Sequence, residues 1–116
     1  MSELRADTIT ASDGTSPVTL TKQSAAKAWN NTNNTGTTIN NSFNISSLTD
    51  VASGRQVHNV INSFDNANTV PTFSVDNNED QQWTSSLTTS SWRTNNYDGA
   101  GYVDIGIRTV CHGDLA

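Results

Sequence analysis

Cysteine occurs once in this chain, at Cys111, so no intrachain disulfide can form; this is the usage of chains that fold in a reducing cytoplasm. Proline is confined to Pro17 and Pro71, and methionine to Met1. Charge is sparse as well, with six Lys and Arg against eleven Asp and Glu and a net charge of −5. The cations Arg5, Lys22, Lys27, Arg55, Arg93 and Arg108 are scattered and form no stripe. They do not neutralise a phosphate backbone by counterion release, so no nucleic-acid partner is expected. No apolar run approaches the ~20 residues of a membrane helix, so no membrane insertion is expected. The opening "MSELRADTIT" lacks the apolar centre of a secretory signal, which points to folding in a cytoplasm. The four Asn-x-Ser/Thr sequons at Asn30, Asn33, Asn40 and Asn44 are then by-products of composition.

What fills the chain is neutral and polar. Asn (15), Thr (17) and Ser (14) together make 46 of the 116 residues. Such a content is unlike that of disordered chains, which are charge-rich and poor in β-branched and aromatic residues. Thr, Val, Ile and eight aromatics favour strands and turns, whereas the strong helix formers Ala, Leu, Lys and Glu are few. A length of 116 residues bounds the chain to one domain, or one small domain and an arm. The apolar complement is thin for a monomer, and small domains often complete their burial by oligomerisation.

Residues 1–23 read as a docking arm. Short alternating segments flank the turn "SDGTSP" (Ser12–Pro17), and Leu4, Ile9, Val18 and Leu20 are the only large aliphatics. Residues 24–116 read as a β-rich domain. Ser24–Trp29 suits a helical turn or a bent connector, and the Asn-rich tract after it a loop. Strand patterns then recur near Thr37–Ser47, Arg55–Ser63, Thr69–Val75, Gln82–Thr88 and Gly101–Cys111. Short connectors between them imply an all-β fold: a small antiparallel β-sandwich or open barrel with an extended N-terminal arm.

The segments "QSAAKAW", "TGT", "SFNISSLTD" and "DNAN" resemble a module found in structural proteins of marine tailed phages. There a Lys-Ala-Trp segment is followed by Gly-Thr repeats, a strand similar to "SFNISSLTD" and a Gly-rich turn. The resemblance covers roughly Ser2–Thr69, and "YVDIGIRTV" is similar to the family's last strand. It implies a trimer-forming virion appendage, tail-fibre or capsid-decoration module, and it names no catalytic residue. On this resemblance Trp29 is an anchor that plugs the start of the β domain. Two departures stand out: Asn30, Asn31 and Thr32 follow the Trp in place of Val-Asn-Phe, and Gln56, His58 and Val60 replace an aromatic and aliphatic strand face. Either that strand has slipped in register, exchanging its faces, or the face is wetter.

Candidate chemistry is thin. "DNNED" places Asp76, Asn78 and Asp80 like the opening of a calcium loop, but Gln81 stands where a Gly is needed and Leu87 where a Glu is needed. A solvated acidic turn is the expectation. Cys111 and His112 are neighbours whose side chains diverge on a strand, which does not make a metal site. Neither a metal nor another cofactor is expected. No Gly-x-Ser-x-Gly elbow occurs, His58 is expected on a half-wet strand face, and the pattern points away from catalysis. Trp83 and Trp92, in "QQWTSSLTTSSWRT", carry two readings. They are core or interface residues, or one stacks on a host-surface glycan, a use that suits an aromatic face with a polar rim.

The arm assignment has a direct test. Deletion of residues 1–23 should leave a folded, oligomeric protein that fails to join particles assembled in its presence, since arms of this kind gain stability by adding to a partner's sheet. Normal incorporation would move docking into the β domain, and unfolding would move the boundary at Ser24.

Overall fold

The computed structural model describes residues 12–15, 26–76 and 81–116. Eight strands form two four-stranded antiparallel sheets packed face to face, a small β-sandwich. They are β1 (Ala28–Thr32), β2 (Ile39–Phe43), β3 (Ile45–Ala52), β4 (Arg55–Val60), β5 (Val70–Val75), β6 (Gln81–Ser85), β7 (Ser91–Tyr97) and β8 (Ile107–His112). The first sheet runs β2-β1-β8-β5 and the second β3-β4-β7-β6. No helix long and apolar enough to cross a membrane occurs among the described residues. Of the arm, the Ser12–Thr15 turn is formed, with the Thr15 amide donating to Asp13 Oδ1 at 2.9 Å. Leu4, Ile9, Val18 and Leu20 lie outside the described residues.

The tract "AWNNT" is a central strand, not a connector followed by a loop. β1 pairs with β2 on one side and with β8 on the other. The hairpin loop is confined to residues 33–38 and is organised by Asn33, whose Oδ1 accepts from the amides of Thr37 (2.9 Å) and Thr38 (3.1 Å). The long strand expected over Thr37–Ser47 is broken at Asn44, which sits at φ 57°, a left-handed conformation that Asn tolerates better than most residues. Its side chain fixes the corner: Nδ2 donates to the carbonyls of Lys27 and Asn62, and Oδ1 accepts from the Asn62 amide. β2 and β3 therefore end up in different sheets. Ser91–Tyr97, read from sequence partly as a connector, is the inner strand β7.

Strand alternation sets which residues meet between the sheets. Ala28, Asn30 and Thr32 of β1 and Ile107, Thr109 and Cys111 of β8 point inward, as do Gln56, His58 and Val60 of β4 and Trp92, Thr94 and Asn96 of β7. The face of β4 that carries Gln56 and His58 is the buried one. The interior is graded. Ala28, Ile45, Val60, Phe64, Trp92 and Cys111 form an apolar cluster, with Leu87 and Leu115 against it. The rest of the interior mixes Ile105 and Ile107 with amides and hydroxyls. Thr32 Oγ1 accepts from the Ile107 amide at 2.8 Å. Both amide atoms of Asn30, Gln56 and Asn96 are buried without a partner among the described residues, an arrangement that costs roughly 1–3 kcal/mol for each unmade bond.

His58 is fully buried rather than half-wet. Its ring stacks on Trp92 at 5.4 Å and its Nε2 lies 3.0 Å from Thr94 Oγ1. Burial pushes its pKa down from 6.5 to about 3. An unfolded chain binds the proton between these two values and the folded chain does not, so stability is complete above pH 6.5 and is lost as pH falls toward 3. Each unit of separation is worth about 1.4 kcal/mol. Urea midpoints should therefore drop steeply between pH 6.5 and 4.5, and His58→Phe, which keeps a ring on Trp92, should flatten that slope. An equally steep slope in the variant would assign the acid sensitivity to the carboxylates.

Candidate functional site

The outer face of the first sheet carries a groove beside an exposed tryptophan. Inward placement of Ala28 and Asn30 forces Trp29 outward, where it is 36% exposed. Trp29 is therefore not the interior plug expected of it. In register across the sheet lie Phe43, Trp29, Val110 and Thr72, followed by a polar row of Asn41, Asn31, Arg108 and Ser74. Between Trp29 and the edge strand β5 a groove of about 540 Å3 is lined by Asn31, Thr72, Ser74, Arg108 and Val110. At one end the Arg108 guanidinium pairs with the Asp76 carboxylate. Asp76 reaches it from the end of β5 because Gly106 leaves room, as a β-carbon there would overlap the carboxylate.

The second sheet carries a smaller aromatic cluster at the β7–β8 crossing. Trp83 packs tilted against Tyr102 at 5.9 Å, and Tyr97 meets Tyr102 edge-on at 5.5 Å. The Arg55 guanidinium sits 3.7 Å above the Tyr102 ring. Backbone contacts hold this crossing down. The Ser53 hydroxyl donates to the Tyr102 carbonyl, and the Gly54 amide donates to Asp104 Oδ1 at 2.6 Å. Gly54, at φ 67°, lies so close to Val103 and the Asn96 carbonyl that a side chain would collide with backbone.

The tryptophans singled out in the sequence thus separate. Trp83 keeps an exposed face, 38% accessible, with its other contacts taken by Tyr102. Trp92 is wholly buried and reaches no ligand. Trp29, which the resemblance makes an anchor plugging the start of the β domain, has its side chain on the outer face of the first sheet. Asp76 is in an ion pair with Arg108, while Asn78 and Asp80 lie outside the described residues. Among the described residues no group of three or more His, Cys, Asp and Glu converges as metal ligands would. Cys111 and His112 diverge: the thiol is buried, and burial pushes its pKa up. Asp98 accepts the amides of Ala100 and Gly101, which hold its carboxyl below the usual range.

No protein-family model, curated protein or solved structure matches this chain.

The placement of the two tryptophans has a measurable consequence. Trp92→Ala removes a buried ring and should cost about 3–5 kcal/mol, enough to unfold much of the protein. Trp83→Ala should cost no more than about 1 kcal/mol, in line with a surface position, and leave the near-ultraviolet signature of the core intact. Equal losses in urea denaturation would show that the Trp83–Tyr102 cluster belongs to the core.

Proposed function

We propose that the chain is a structural module of a bacteriophage virion, a fibre, appendage or capsid-decoration unit displayed at the particle surface, which holds partners and is not an enzyme. The observation that carries this reading is the distribution of apolar side chains. Among the described residues ten polar ones are buried while Trp29, Phe43, Val51, Ile61, Val70 and Trp83 remain exposed. A fold that leaves six large apolar side chains outside while burying polar ones has surfaces suited to assembly. The likeness of its "KAW", "TGT" and "SFNISSLTD" segments to tailed-phage structural proteins supports the same reading. The other virion proteins would be met by the arm, through Leu4, Ile9, Val18 and Leu20.

Self-association as a homotrimer fits the corner at Asn44. Phe43, 53% exposed, precedes it, and Ile61, 65% exposed, is tied to it through its amide. Closed symmetric assembly buries such a corner against a neighbour. A second reading, a receptor-binding module that recognises a host-surface glycan, is favoured by the groove beside Trp29.

Light scattering after gel filtration should give about three times the 12.5 kDa chain mass, and the pair of changes Phe43→Ser and Ile61→Ser should yield a folded monomer. A wild-type monomer at micromolar concentration would overturn the trimer. A trimer unaffected by both changes would place the contact elsewhere.

A further inference from the structure

We infer that the groove beside Trp29 binds a neutral oligosaccharide, with one pyranose ring stacked on the indole and its hydroxyls held by the polar side chains that line the groove. The inference rests on the glycan-binding reading above and gives that reading a site and a ligand class. It places recognition on the first sheet at Trp29, which lines the groove, and not at Trp83, which packs against Tyr102 on the second.

Three observations converge. First, Trp29 stands on the outer face of a central strand, between Phe43 and Val110 in register, with a third of its surface free. An exposed indole on a strand offers the apolar platform that the C–H face of a sugar requires. Second, donors and acceptors line the groove from three strands: the Asn31 amide on β1 beside Trp29 itself, the Arg108 guanidinium on β8, and the Thr72 and Ser74 hydroxyls on the edge strand β5. Sugar hydroxyls both donate and accept, and this set serves both directions. Third, the one cation in the groove is compensated. Arg108 is paired with Asp76, on a chain of net charge −5. An acidic polysaccharide would meet no free positive charge in the groove and a like-signed molecule around it, so a neutral ligand is the complementary one. The groove is shallow and built on the face of a sheet, which suits a chain of sugars laid across the strands rather than a small molecule enclosed in a pocket.

The probes are fragments of neutral glucans, mannans and galactans, with polyuronate fragments as the acidic comparison. Each is titrated to tens of millimolar by calorimetry while the tryptophan indole N–H signals are followed by nuclear magnetic resonance. At least one neutral fragment should bind saturably and shift the Trp29 signal. Trp29→Ala should weaken that binding by about tenfold or more, and Ser74→Trp, which fills the groove with Trp29 intact, should abolish it. Arg108→Ala should weaken it, and Trp83→Ala should leave it unchanged. Circular dichroism checks the fold of each variant. Absence of binding by every neutral fragment, binding by polyuronates alone, or binding that survives both Trp29→Ala and Ser74→Trp would overturn the inference. Mass by light scattering is read on the same samples: a trimer that binds no sugar removes this site and leaves the assembly reading standing, whereas a monomer that binds sugar does the reverse.

Discussion

Trp92 holds the two sheets together. Its ring comes from β7 of one sheet, its indole nitrogen donates to Thr109 Oγ1 of the other at 3.1 Å, and its face is covered by His58. Thr109 in turn donates to the Thr72 carbonyl on β5, carrying the connection to the far edge of the first sheet. In a chain with so few large apolar residues, a single ring supplies much of the contact area that fixes how the sheets lie on one another. The groove depends on it, because Thr109 and the groove residues Arg108 and Val110 are consecutive on β8. The interior on the other side of Trp92 grades into amides, and the molecule tolerates them there because the apolar cluster around Phe64 carries the packing.

Much of the fold was legible in the sequence. Thr, Val and aromatic content pointed to strands, and the short connectors pointed to antiparallel packing, as found. The elements that escaped are those rich in Asn. Asn is a turn former because its side chain competes for nearby backbone groups, so the tract after Trp29 reads as a loop and Asn95 and Asn96 as the start of a connector. In the folded chain Asn30 and Asn96 point into the interior instead, and Asn95 spends its amide across the sheet on the Trp83 carbonyl and the Ser85 hydroxyl. The break at Asn44 was hidden for a related reason. Residues on either side of it have strand character, and only a residue that tolerates a positive φ marks the corner.

The site was less legible, because a strand's alternation says that neighbours part company but not which of them goes inside. In β1 a small alanine and a polar asparagine take the interior and the indole goes out, the reverse of what hydrophobicity alone dictates. The deciding information is the pairing with β8, where Ala28 must fit beside Cys111 and Asn30 beside Thr109. In the segment holding Trp83 and Trp92 one ring is buried and the other stays partly exposed. Both stand among polar neighbours, Gln82 and Thr84 beside one and Ser91 and Arg93 beside the other, which do not say which ring goes inside.

The pairing of β1 with β8 has a mechanical consequence. The strands are antiparallel neighbours, and Ala28 faces Cys111, so the chain enters the sandwich and leaves it at the same end. Tension applied between residues 27 and 113 would act on the cross-strand hydrogen bonds one at a time, in the manner of a zip, because those bonds lie perpendicular to the strands. A shearing load, in which all the bonds of the ladder resist together, cannot develop in this geometry. The module is therefore suited to hanging from one end, with the hairpin loop at Gly36 and the turn at Gly54 pointing away from the attachment, and is poorly suited to serving as a link in a chain under load.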